Sequence, residues 1–414
     1  MATIRAFKAV RPTKELSHMV AALPYDVMNS EEAREMVKDN PYSFLHVDRA
    51  EVNLPHSVNI YDESVYKKAR EILHNMIEKS VFIEDKKPCL YVYRQTMNGR
   101  SQTGLVACVS IDDYINNRVK KHEHTRPDKE QDRINHVNYC DANTGPIFLT
   151  YREEHNISEI IDEWTERQPV YNFVAEDGIG HTAWVIDDKN VVDRLTALFK
   201  KVQYLYIADG HHRAASAARV GLLRREEKPN YTGEEEFNFF LSVIFPDSHL
   251  RIMDYNRVVK DLNGLKLEKF LEKVEENFYI FPRSNNEPYR PEAKHTFGLY
   301  VEGKWYKLES KEGTFDEENP IERLDVSILQ KNLLYPVLGI EDERTDKRIG
   351  FVGGIRGLKE LEKRANNDMK VAFSLYPTTV EDIMDIADIG EVMPPKSTWF
   401  EPKLRSGLFI HKLT

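Results

Sequence analysis

The chain has 414 residues, 41% hydrophobic and 30% charged, with a formal net charge of −10. That length exceeds what one core usually organises, so two or three subdomains are expected, and the composition excludes a disordered chain. The acidic balance argues against a dedicated nucleic-acid binder, which presents a basic surface.

Taken in chain order, an extended opening reaches Leu23-Pro24-Tyr25-Asp26-Val27, and a helix follows with Ser30 as its N-cap and Met36 and Val37 as apolar positions. An amphipathic helix is predicted over residues 61–79, then strands over 89–95 and 103–111. Residues 117–141 are dense in charge, His and Asn without periodicity and read as an irregular loop, because Pro127 blocks a long helix through them. A strand over 146–151, a helix over 157–167, a strand over 182–186 and a helix over 190–200 then alternate as an α/β unit does. After the polar loop 230–236 come a buried strand over 239–246, a helix over 265–278, a turn-rich stretch over 282–291 and strands over 295–301 and 304–308. The pattern divides the chain into an α+β region at 1–115, a central region at 116–260 and a C-terminal α+β region at 261–414. The fold class is mixed α/β.

Cys89, Cys108 and Cys140 are odd in number and lack Cys-x-x-Cys spacing, so no disulfide framework or thiolate zinc site is expected. Cys140, inside a polar segment, is open as a nucleophile or a small buried thiol. No run of about twenty apolar residues occurs, and the first residues lack the apolar core of a signal peptide, so a cytoplasmic protein without a membrane partner is expected.

The most informative segment runs from the strand ending at Asp209, through Gly210, into the helix opened by His211, His212 and Arg213. A glycine turn brings backbone close to a ligand, and the first amides of the helix have no intrahelical partner and carry the positive end of its dipole. Phosphate is the natural guest of that geometry, with a capped structural turn as the alternative. Adjacent histidines point about 100° apart on a helix, which makes a shared metal ion the weaker reading of His211 and His212.

A second cluster spans Lys120 to His136. In it Glu123 is a candidate general base or magnesium ligand, His122, His124 and Thr125 are candidate phosphate contacts, and Arg126 and Arg133 are placed to neutralise developing charge. A solvated charge run is the alternative. The third cluster is the loop 393–410, where Lys396, Lys403 and Arg405 are candidate phosphate contacts and Trp399 and Phe400 read as packing residues, ahead of a final strand. The glycines of a phosphate loop are missing before Lys396. Gly350, Gly353, Gly354 and Gly357 do not fit the dinucleotide fingerprint and read as a strand and tight turn, while Asp382, Asp385 and Asp388 read as the solvated side of a helix beginning near Thr379.

Together, residues 23–27, Val119 to Thr125, Ile207 to Arg213 and Met393 to Lys403 resemble the bacterial family catalogued as domain of unknown function ten-fifteen, over nearly the whole chain. The Asp209-Gly210-His211-His212-Arg213 turn is also similar to that of free-serine kinases in the ParB-like superfamily, where the same strand-turn-helix holds nucleotide phosphates. That resemblance implies a kinase moving a phosphoryl group from ATP or ADP, with Mg2+, to a hydroxyl of a small metabolite, serine first among candidates. Glu123, Asp209, His211 and His212 would be catalytic. The alternatives are a nucleotide-binding switch without turnover and a metal-dependent phosphoester hydrolase using His122, His124, His211 and His212. The expected partners are a nucleotide and a small substrate, with oligomeric state left open, a homodimer included.

Overall fold

The computed structural model describes residues 1–283 and 287–414, which form two compact units, Met1–Leu250 with Pro402–Thr414 and Arg251–Glu401. Among the described residues the first unit holds a nine-stranded mixed sheet. Its order is Val119–Lys120, Leu205–Asp209, Ile147–Tyr151, Phe239–Pro246, Arg100–Ser110, Leu90–Met97, Gly180–Ile186 and Tyr171–Val174, with Ile4–Arg5 joining Arg100–Ser110. Val119–Lys120 runs parallel to Leu205–Asp209, and Phe239–Pro246 runs parallel to Ile147–Tyr151. The expected boundary at residue 115 falls inside this unit, because Arg100–Ser110 is a mid-sheet strand paired with Phe239–Pro246. Such non-local pairing leaves no mark on local composition.

One core lies on the sheet, where Leu105, Leu149, Ile207 and Ile244 meet Trp164 and Leu195 from helices His155–Thr165 and Lys189–Phe199. Each such aliphatic side chain contributes about 1.5–3 kcal/mol on burial. Helix His211–Glu227 lies close to this layer because the residues facing it are small: Ala214, Ala217 and Ala218 are buried, and a Cβ on Gly221 would come within 2.5 Å of Ile111 Cδ1. A separate core under the N-terminal helices joins Phe44, Val65, Leu73 and Met76 to Ile410 from the returning C-terminal segment, whose strand His411–Lys412 pairs with Ala142–Asn143.

Several expectations are corrected. The N-cap of helix Ser30–Val37 is Asn29, not Ser30, since Asn29 Oδ1 accepts from Glu32 N at 2.9 Å and Glu32 accepts from Asn29 N at 2.8 Å. The helix expected over 61–79 is Glu63–Glu78, capped by Asp62. The charged stretch is a loop only over residues 121–126: Pro127–Cys140 is a helix with its proline in the first turn, where the missing N–H costs nothing, and Asp128 and Glu130 face the dipole. Its buried face carries Asp132, Arg133 and His136 beside Val137 and Cys140, so the apolar period that announces a helix is absent.

Among the described residues the second unit holds a six-stranded antiparallel sheet in the order Phe278–Pro282, Lys304–Ser310, Thr296–Val301, Val371–Leu375, Tyr255–Val259 and Ile349–Gly353. Phe278 is a strand residue, and the helix expected to reach it is Leu267–Glu275. Part of the stretch 282–291 lies outside the described residues. Gly353 sits against Trp399, whose ring carbons would lie 2.8 Å from a Cβ there. Asp382 is buried rather than solvated, closing a capping box with Thr379 and accepting from Lys294 Nζ at 2.8 Å. All three cysteines are free and buried, and burial raises the Cys140 thiol pKa far above its usual value. Among the described residues no helix is long and apolar enough to cross a membrane.

Candidate functional site

Strand Leu205–Asp209 ends at Gly210, whose φ of 90° and ψ of 32° lie in the left-handed region. A Cβ there would meet nothing closer than Ile147 Cα at 3.7 Å, so glycine is required by torsion rather than space. The helix His211–Glu227 that follows has 17 residues and no side-chain cap. Its first amides therefore keep their donor capacity at the positive end of the dipole. Asp209 does not cap the helix: its Oδ1 accepts from Gly210 N at 2.8 Å and its Oδ2 accepts from Lys403 Nζ at 2.8 Å. Burial pushes this carboxyl pKa up, but Lys403 outweighs it and holds it at about 2, so Asp209 is an anion at neutral pH.

The two histidines diverge from the turn. His211 is buried, with Nδ1 3.9 Å from Glu123 Oε2 and Nε2 accepting from His122 N at 3.5 Å. The His122 ring meets it edge-on at 4.5 Å, and both His122 ring nitrogens are buried without a hydrogen bond. Burial lowers His122 to about 4, and burial with the adjacent imidazole places His211 well below the usual range, so both are neutral at pH 7. His212 Nε2 accepts from Arg126 N at 3.0 Å. Segment 122–126 is thus stitched to the turn by both imidazoles, and the first two sequence clusters meet in space. Glu123, His124 and Arg126 are exposed there. The Thr125 hydroxyl donates to Glu130 at 2.8 Å, and the Arg126 guanidinium is paired with Asp128 at 2.9 Å.

Arg213 runs inward past Gly210. Its Nη1 donates to Pro146 O at 3.3 Å, its Nη2 donates to Ser406 Oγ at 3.1 Å, and Nη2 stands 3.5 Å from Asp48 Oδ2. Tyr25 lies under two guanidiniums, 4.0 Å from that of Arg133 and 5.5 Å from that of Arg213. Arg133 pairs with Asp132 at 2.8 Å, and Asp132 also accepts from Tyr66 OH at 2.9 Å. Sequence reasoning missed Asp48 and Ser406. No local pattern marks either, although Tyr25 beside them belongs to the recognised Leu23-to-Val27 motif.

Of the three basic residues singled out in the third cluster, Lys403 reaches the turn and Lys396 and Arg405 do not. The Lys403 carbonyl is held by Gln95 Nε2 at 2.8 Å, which fixes the segment that presents the ammonium. Arg405 is buried elsewhere, donating from Nε to His181 Nε2 at 3.2 Å and pairing with Asp177. Lys396 belongs to the second unit, with Nζ 5.9 Å from the Tyr255 ring. Among the described residues no group of three or more His, Cys, Asp or Glu side chains is placed to hold a metal ion.

Fold and site define a mixed α/β protein with an uncapped helix N-terminus at a strand end, flanked by Asp209, Lys403, Glu123 and Arg213. The chain belongs to the family described as protein of unknown function (DUF1015), whose pattern matches residues 4–327. No curated protein matches it. Among solved structures it is similar to a conserved hypothetical protein from Pyrococcus furiosus, at 16% identity and TM-score 0.36, covering 73% of this chain and 94% of that one. A free serine kinase variant in complex with AMP aligns at 15% identity and TM-score 0.37, covering 73% and 91%. SbnI from Staphylococcus aureus, truncated at its C-terminus, aligns at 12% identity and TM-score 0.37, covering 74% and 86%.

Proposed function

We propose that the protein is a small-molecule kinase, transferring a phosphoryl group from ATP or ADP to a hydroxyl of a small metabolite, with serine the leading candidate. The observation that carries this reading is the convergence, at one uncapped helix start, of free amide donors, the Lys403 ammonium and the exposed Glu123 carboxylate. The amides of His211, His212 and Arg213 receive the phosphate oxygens. Arg126 at the rim and Lys403 beside Asp209 offset the added negative charge. Glu123 takes the proton of the acceptor hydroxyl as its oxygen bonds to phosphorus and the bond from phosphorus to the bridging oxygen breaks, releasing the shortened nucleotide. His211, neutral and 3.9 Å away, orients Glu123.

Glu123 and Asp209 are the carboxylates at the turn that suit a magnesium ion, which when bound with the nucleotide supplies charge neutralisation on the phosphate oxygens. Asp209 takes that role only by giving up Lys403. The hydrolase reading is less favoured, because His211 and His212 turn to opposite ends of segment 122–126 instead of converging. The test is calorimetric titration with ATP, ADP, CTP and GTP in the presence of magnesium, followed by phosphorus NMR with serine as acceptor. Phosphoserine formation supports the kinase, binding without product leaves the switch, and absence of nucleotide binding removes both. Glu123→Gln is expected to keep nucleotide affinity and lower turnover at least about 100-fold, the usual worth of a general base; unchanged turnover removes Glu123 from the mechanism.

A further inference from the structure

Arg213 leaves the helix start toward the protein interior, yet its Nε–H has no hydrogen-bond partner among the described residues. Its Cδ lies beside the turn, 3.9 Å from where a Gly210 Cβ would stand, so the adjoining Nε–H lies next to the helix start. The other end of the guanidinium is fixed. Pro146 O and Ser406 Oγ accept from its two Nη atoms, and Asp48 faces Nη2 at 3.5 Å from a fully enclosed position, 3% exposed at the end of helix Leu45–Asp48.

Asp48 is itself oriented by the Thr144 hydroxyl, which donates to Oδ1 at 2.7 Å, while its Oδ2 makes no hydrogen bond and is left to the Arg213 charge. The other ionisable groups packed around it are His136, with Nε2 4.0 Å from Oδ1, and Arg133, which is already paired with Asp132. Burial and Arg133 keep His136 neutral at pH 7, with a pKa of about 4, so it brings no cation to Asp48.

We infer that Asp48 is the positioning residue for Arg213: by holding the Nη end of the guanidinium it aims the Nε–H at an anion bound on the helix start. This rests on the phosphate-site reading above and extends it to a group that touches neither nucleotide nor acceptor. A simple field effect makes the opposite forecast. If Asp48 acted only through its negative charge, neutralising it would tighten anion binding.

The test titrates the full chain with inorganic pyrophosphate and with ADP, using wild type, Asp48→Asn, Arg213→Ala, Ser406→Ala and the double variants. Circular dichroism and thermal melts verify folding. Asp48→Asn is expected to weaken binding about tenfold, a loss equivalent to about 1.4 kcal/mol, and to add nothing in the Arg213→Ala background. Tighter or unchanged binding in folded Asp48→Asn, or losses that multiply in the double variant, overturns the inference. Should Asp48→Asn fail to fold, Ser406→Ala, which removes one milder tether of the same guanidinium, is expected to weaken binding about threefold, again only when Arg213 is present. Unchanged affinity there overturns it equally. A wild-type chain that binds neither probe refutes the phosphate site itself, an outcome distinct from a binding wild type with an indifferent Asp48 variant.

Discussion

Replacing Gly210 with alanine places a Cβ on backbone held at φ 90° and ψ 32°. The space is adequate, since the nearest atoms would be Ile147 Cα at 3.7 Å and Arg213 Cβ and Cδ at 3.9 Å, all ordinary contacts. The penalty is therefore torsional, about 1–2 kcal/mol for an L-residue in the left-handed region. If the turn keeps its shape, stability falls by that amount. If it relaxes, the amides of His211 and His212 swing away from the common point, and losing one hydrogen bond to a charged ligand costs about 1.5–3 kcal/mol, or tenfold and more in affinity. Urea unfolding measures the first quantity, hydrogen exchange over residues 205–227 localises it, and ADP titration measures the second. Gly210→Asn is expected to lose less, because asparagine tolerates left-handed backbone better than alanine. A Gly210→Ala protein with the wild-type urea midpoint and wild-type ADP affinity refutes the argument from the turn.

Lys403→Met removes the partner that holds Asp209 at about 2. A carboxyl depressed in the folded state contributes stability above its unfolded value near 4, and loses it as pH falls through about 2. The full shift corresponds to about 2.5 kcal/mol, but the Asp209 side chain is 39% exposed, and screening reduces this to about 1 kcal/mol. The variant is expected to be less stable at pH 7 and to converge on wild type in urea melts between about pH 4 and 2; a gap independent of pH contradicts the pairing. Burial holds His122 and His136 each at about 4, below an unfolded value of about 6.5, so the unfolded chain binds more protons and stability drops as pH falls through that window. Their ring protons should show no NMR titration above about pH 5, and a midpoint near 6.5 for either disproves its placement. Gly353→Ala poses the reverse problem from Gly210: its φ of −65° is relaxed, but Trp399 would lie 2.8 Å from the Cβ, so about 1–3 kcal/mol is expected from overpacking, read from the urea midpoint.

The turn was legible because its chemistry is local: a strand, a glycine and a polar helix start leave a contiguous signature. Strand Phe239–Pro246, buried throughout and apolar but for Ser242, was placed to the residue. Helix Pro127–Cys140 was not, because its inward face is ionic and compensated by Asp48, Tyr25 and Tyr66, which no window of neighbouring residues contains. Asp382 misled in the same way: its spacing to Asp385 and Asp388 marks a helical side, but only tertiary contact with Lys294 tells that the first of them is buried. The meeting of Glu123, Asp209 and Lys403 depends on strand order and on the return of the C-terminal segment, both properties of the tertiary fold rather than of any stretch of chain.

That return has a consequence for how the protein matures. The first unit takes residues 1–250 and 402–414, so the whole of residues 251–401 is synthesised before Lys403 and Ser406 emerge from the ribosome. Nascent chains that already carry the glycine turn lack the tethers of Asp209 and Arg213 and the strand His411–Lys412 that seals Ala142–Asn143. Assembly of the site is thereby deferred until residues 402–414 have been made, and a chain released before then carries the turn without the groups that organise its charge.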